Sequence, residues 1–395
     1  MIRYVFFHFR LLWVITLSIS YLALTQMVTE SRHPDVGGGS VEQVRSGNVN
    51  NSCHVPLSCL ELPVTHSVTE ARHIGFLKVH KAASSTMQNI FFRFGLNRNL
   101  TFVFTDHPNY FSRTTDRHLP LVPPRLRSGG YDILCNHGMF NRKTYGSVLP
   151  PDAVYIAIVR DPLQQFISSV NYYSQPGQLL PHLAAVPGNK VQNLIRMPQY
   201  DRTLFSYTRN TMARDFGFPV TTNPKTVADK LDELENTFTV VLLVEYFPES
   251  LILMKRILNW SLADILFISN NVLSKPKWSV HNLTVSDLQI FRKRNYLDYK
   301  VYEHFHARFW VQVRAEGAGF NEEVLHFRSV LDSLTLFCKG NPGEDQTLTV
   351  TSSDWNEDFE VTGRDCAYMR TDELKFISLL RRIQGSELRR SRRHA

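Results

Sequence analysis

An α/β fold on a central, mainly parallel sheet follows from three apolar runs, Ile74 to Leu77, Val154 to Val159 and Val240 to Val244, each leading into a helical pattern. The first precedes Met87, Ile90, Phe91 and Phe94, spaced i, i+3, i+4 and i+7 on a helical face expected to stop near Gly95. The second is continuously apolar, as a strand covered on both faces must be, and gives way to Leu163, Phe166, Val170 and Tyr173. The third leads into Leu251, Met254, Ile257 and Leu258. Three such crossovers predict strands running the same way with helices packed over them. A later stripe, Leu297, Val301, Phe305, Phe309 and Val313, reads as a core-facing helix.

What precedes the sheet has a different character. Residues 1–10 contain Arg3, His8 and Arg10, and the apolar run over residues 11–28 carries no charge and holds Trp13 and Tyr21. It is long enough to cross a bilayer as a helix, and basic residues before it with Glu30 after it predict a cytoplasmic tail and a lumenal remainder. The run is long for a signal-peptide core and lacks a clear A-x-A, so an uncleaved transmembrane signal-anchor is expected. Residues 29–73 are polar and broken by Gly37-Gly38-Gly39-Ser40, as in a flexible stem, and residues 74–395 form the expected lumenal domain.

Composition narrows the ligand. Among 395 residues, 44 Lys and Arg against 36 Asp and Glu give a net charge of +8, which suits an anionic ligand or a membrane-facing surface but is too mild to indicate nucleic acid. Cys53, Cys59, Cys135, Cys338 and Cys366 show no C-x-x-C spacing, so no zinc site is expected. Sequons at Asn50, Asn99, Asn259 and Asn282 become glycosylation sites if the chain enters the secretory lumen. There disulfides also become plausible, and Cys338 with Cys366 is the first pair expected.

The chemistry is concentrated after the first strand. Lys81, Ala82, Ala83, Ser84, Ser85 and Thr86 combine a mobile charge, small side chains and hydroxyls at a helix start, the ingredients of a phosphate cradle. The G-x-x-x-x-G-K-[ST] spacing is absent: Gly75 stands where the first glycine should, but Lys78 and His80 fill the turn and Ala82 follows Lys81. Arg160, directly after the second strand, falls on the same rim, with Asp161-Pro162 opening the next helix and Ser168 further along it. Two separated phosphate sites suggest a ligand such as 3′-phosphoadenosine-5′-phosphosulfate.

A resemblance sharpens this. Residues 77–86, Asn89 to Gly95, Cys135-Asn136-His137, Ile158 to Pro162, Phe166 to Ser169, Glu245 with Glu249-Ser250-Leu251, and Tyr302 to Phe305 resemble, in order, segments of the galactose-3-O-sulfotransferases. The likeness runs from about residue 74 to 337 and weakens after Cys338. It implies a P-loop-like sulfotransferase fold and metal-free sulfuryl transfer from 3′-phosphoadenosine-5′-phosphosulfate to a terminal galactose. It also implies a Golgi membrane protein of single-pass type II topology, with a homodimer left open. The residues so implicated in holding the donor are Lys81 to Thr86, Arg160 and Ser168, with Lys81 on the leaving-group charge. His137 is the first candidate for the base that deprotonates the acceptor, since it resembles an active-site histidine of related carbohydrate sulfotransferases. His80 is the second, and Glu245 is either a base, a sugar contact or a structural cap. The rival readings are a nucleoside or sugar kinase, which would want a fuller glycine loop, and an inactive glycan-binding protein, against which intact Lys81, Arg160 and Ser168 argue.

Overall fold

The three apolar runs become neighbouring strands. β1 (Ile74–Leu77) leads to helix α1 (Ser84–Asn97); a short hairpin of β2 (Phe104–Thr105) and β3 (Leu121–Val122) follows, and β4 (Ile133–Leu134) returns to the sheet. β5 (Val154–Val159) feeds α2 (Pro162–Tyr173), and β6 (Val240–Leu243) comes after a helical excursion that includes α3 (Thr211–Asp215). The sheet runs in the order β4-β1-β5-β6, parallel throughout, with Ile74 opposite Ile133, Phe76 opposite Ile156 and Ile158 opposite Leu242. The computed structural model describes residues 66–394 except 116, 123–129, 202–203, 269–276 and 281–282. All of these belong to one unit, Pro56–Ala395.

β1, β5 and β6 are buried along almost their whole length, as their unbroken apolar sequences require. After β6 come α4 (Phe247–Leu258), α5 (Tyr296–Ala315) and α6 (Phe320–Lys339). Leu297, Val301, Phe305 and Phe309 of α5 are buried in the core shared with the sheet. The chain ends with the ribbon of β7 (Thr347–Val350) and β8 (Phe359–Thr362), then α7 (Gly363–Arg370) and α8 (Glu373–His394). The expected Cys338–Cys366 disulfide is present and ties the end of α6 to α7. Cys135 is buried and free, whereas Cys53 and Cys59 lie outside the described residues.

Some expectations are corrected. α1 does not stop at Gly95 but runs to Asn97. The glycine is there for close packing: a Cβ would collide with the Phe102 ring and sit 2.8 Å from Ile133 Cδ1. The third strand ends at Leu243, because Val244 already belongs to a 3₁₀ turn. The last residues assigned to the stem run along the domain instead, with the Ser67 and Ala71 N–H groups donating to the carbonyls of Ile257 and Leu258, both at 2.9 Å. The expected anchor, the remainder of the stem, Asn50 and Asn282 lie outside the described residues, among which no helix is long and apolar enough to cross a membrane.

Candidate active site

The turn from β1 into α1 is held open by its backbone. Lys81 and Ala83 adopt φ of 59° and 51°, a left-handed conformation that costs a residue with a Cβ about 1–2 kcal/mol. Ser84 Oγ closes the turn by donating to the Val79 carbonyl at 2.6 Å. The first ladder donor of α1 is Thr86, bonded to the Ala83 carbonyl at 3.0 Å, so the N–H groups just before it point out of the helix end. Lys81 Nζ lies 3.6 Å from the centroid of the Tyr172 ring. Burial first, then the neighbouring Lys78 and Arg160, bring the Lys81 amine down to about 8.

Arg160, at the end of β5, reaches this turn and donates to the Lys81 carbonyl at 3.3 Å. The two sequence-predicted cationic sites therefore share one rim of the sheet. Ser168 is half-buried on α2, while its neighbour Ser169 accepts from Gln165 at 3.2 Å and Gln165 donates to the His80 carbonyl at 3.1 Å. Glu245 is a tie between strand ends: it accepts the Asp161 N–H at 2.8 Å and the Tyr302 hydroxyl at 3.4 Å.

His80 and His137 are stacked with ring centroids 4.0 Å apart, but their partners differ. His80 Nδ1 faces Asp215 Oδ2 at 2.7 Å, and the same oxygen accepts the His80 backbone N–H at 2.8 Å. This fixes the proton on Nδ1 and leaves the Nε2 lone pair toward the Tyr110 hydroxyl at 3.3 Å. Asp215 is itself paired with Arg214 at 3.2 Å and is carried on α3, whose Ala213 N–H donates to Asp298 at 2.8 Å. On His137, Nδ1 donates to the Lys78 carbonyl at 2.9 Å, which leaves Nε2 to accept from Lys78 Nζ at 3.0 Å. Burial lowers both imidazoles; Asp215 partly offsets it for His80, whereas Lys78 adds to it and holds His137 well below the ordinary histidine range.

Sequence reasoning missed four contributors. Lys78, read only as a misfit in a glycine loop, is a buried ammonium on the floor of the site. Asp215 and Glu373 arrive from distant segments. Asn109, from the loop after β2, donates to Glu373 and accepts from Gln88 at 3.2 Å. The residue types alone gave no signal for Asp215 or Glu373. Among the described residues no group of three or more His, Cys, Asp or Glu side chains is arranged to hold a metal.

Residues 10–351 match the galactose-3-O-sulfotransferase family. The chain belongs to that family. It is 35% identical over 258 residues to galactosylceramide sulfotransferase of Homo sapiens, an alignment covering 62% of this chain and 59% of that protein's length. To galactose-3-O-sulfotransferase 3 of Mus musculus it is 32% identical over 302 residues, covering 72% and 68%. To galactose-3-O-sulfotransferase 2 of Mus musculus it is 31% identical over 310 residues, covering 75% of each. No solved structure matches. The family match ends before α8, whose Glu373 reaches Lys78 and Ser85 in the site.

Proposed function

We propose that this family member transfers a sulfuryl group from 3′-phosphoadenosine-5′-phosphosulfate to the 3-hydroxyl of a terminal galactose on a glycolipid or a glycoprotein glycan. The observation that carries the reading is the meeting of the Lys81 turn, Arg160 and the His80–Asp215 pair on one rim of the sheet. The backbone N–H groups from Ala82 to Ser85 receive the 5′-phosphate, the Thr86 N–H and the Ser84 and Ser85 hydroxyls being bonded to Ala83, Val79 and Glu373 instead; Arg160 and Ser168 take up the remaining donor charge. The acceptor oxygen attacks sulfur as the bond from sulfur to the 5′-phosphate oxygen breaks. Lys81 opposes the negative charge that grows on the departing phosphate.

His80 receives the acceptor proton on Nε2, with Asp215 orienting the ring and stabilising the imidazolium that forms. We assign it this role ahead of His137, whose Nε2 is already engaged by an ammonium. No metal enters these steps. We further propose a single-pass type II protein of the Golgi membrane, anchored by residues 11–28, with residues from the stem onward lumenal. The Cys338–Cys366 bond supports an oxidising compartment, and Asn99 and Asn259 are exposed for glycosylation.

The test is incubation of the full chain with radiolabelled donor and a panel of galactosylceramide, N-glycan and O-glycan acceptors, followed by linkage analysis. Label on galactose O3 is the expected result. No transfer to any galactoside, together with preference for ATP–magnesium over adenosine 3′,5′-bisphosphate in calorimetry, would overturn it.

A further inference from the structure

The last helix, outside the stretch matched to the family, brings a carboxylate into the middle of the site. Glu373 is the first residue of α8. Its Oε2 accepts from Lys78 Nζ at 2.8 Å and from Ser85 Oγ at 2.6 Å, and its Oε1 accepts from Asn109 Nδ2. The Lys78 side chain is 1% exposed, and its ammonium also reaches His137 Nε2 at 3.0 Å and Ser85 Oγ at 3.5 Å. A charge so stripped of water is tolerated only with a counter-charge, and Glu373 is the carboxylate within ion-pair distance among the described residues.

The carboxylate is mounted rigidly. Phe376, Ile377 and Leu380 are buried in the core beside α1, with the Phe376 and Phe92 rings 5.3 Å apart. Arg381 donates to the carbonyls of Thr105 and His107 at 2.6 and 2.7 Å, and Asp372 accepts the Leu374 N–H at 3.0 Å. The disulfide at Cys366 anchors the segment on its other side. Burial pushes the Glu373 carboxyl up, but Lys78 and Ser85 outweigh it and keep the group ionised.

Resting on the sulfuryl-transfer reading, we propose that Glu373 is a positioning residue: it fixes the Lys78 ammonium between the phosphate turn and His137, so that Lys78 acts on the group being transferred. The C-terminal helix is thus part of the transferase site.

The test uses the full chain with E373Q, which keeps the shape and removes the charge, and E373D, which keeps the charge on a shorter arm. In E373Q, kcat falls roughly 10- to 100-fold, the scale on which orienting partners act, and the melting temperature drops because a buried ammonium has lost its counter-charge, while affinity for adenosine 3′,5′-bisphosphate stays near wild type. E373D recovers part of the loss. A second readout needs no turnover: acetic anhydride labelling of ligand-free protein, followed by peptide mass spectrometry, shows Lys78 severalfold more reactive in E373Q, with exposed Lys225 unchanged. Unchanged kcat and unchanged Lys78 labelling would overturn the proposal. So would retained kcat with tighter bisphosphate binding, which would make Glu373 a plug in the donor site. A parallel loss of kcat, bisphosphate affinity and melting temperature in both variants would reduce it to a structural contact. If the wild-type protein transfers nothing, the functional reading fails on its own, and the labelling still decides whether Glu373 positions Lys78.

Discussion

The turns after β1 and β4 each present a buried histidine to the same cleft, one ring stacked on the other, and they differ in the charge placed beside it. His80 has a carboxylate on Nδ1, and its Nε2 lone pair faces a hydroxyl that an acceptor hydroxyl can replace. His137 has a backbone carbonyl on Nδ1 and an ammonium on Nε2. Burial acts on both in the same direction, so desolvation does not separate them. The sign of the neighbour does: an anion stabilises the imidazolium that proton transfer creates, and a cation opposes it. One ring is arranged to take a proton and the other to hold a lysine.

The sharpest way to break this comparison is to remove each ring. His80→Ala is expected to lose roughly 10²–10⁴-fold in kcat, the usual worth of a general base, and His137→Ala much less. Rapid-quench turnover of the two variants checks it, and equal losses would erase the distinction. Arg160→Ala is expected to weaken adenosine 3′,5′-bisphosphate about 30-fold, or about 2 kcal/mol, by calorimetry, without moving the pH profile of turnover. A changed profile would mean that the two ends of the site are not separable.

The next effect is on donor binding. Because the Lys81 amine is brought down to about 8, it is an ammonium below that pH and loses its charge above it. Bisphosphate affinity is therefore expected to fall by up to about tenfold per pH unit above 8, where the phosphates are fully ionised, and Lys81→Met to abolish the fall. The smallest effect is a displacement of the acid limb. As the proposed base, His80 must be neutral for turnover, and burial lowers its affinity for protons, so the limb in kcat/KM is expected below the ordinary 6.5. Asp215 works against that lowering, so Asp215→Asn is expected to carry the limb to still lower pH while reducing kcat. A limb that stays in place in this variant belongs to another group.

The sheet was legible because its strands are written as local apolar runs: β1 and β5 fall where those runs begin and end. The turn between β1 and α1 was legible for the same reason, since Lys81 to Thr86 are contiguous. Gly95 misled because its close approach to Phe102 is a tertiary fact that looks locally like a helix stop. Lys78 was visible but misread, because its meaning depends on Glu373, 295 residues away. Asp215 is separated from His80 by 135 residues and sits on a five-residue helix with no periodicity to betray it. The Cys338–Cys366 pair, by contrast, was anticipated within one stretch of chain, 28 residues apart.

That long separation between Lys78 and Glu373 has a consequence for how the protein comes into being. Strands β1, β4, β5 and β6 are complete once residue 243 has been made, so the sheet can assemble while the rest of the chain is still on the ribosome. The Lys78 ammonium then has His137 and Ser85 beside it but no counter-charge, and remains without Glu373 until α8 emerges and docks as one of the last events of synthesis. A chain ended by premature termination after α6 would contain the whole sheet, Lys81, Arg160, His80 and Asp215, and still lack the carboxylate that meets Lys78.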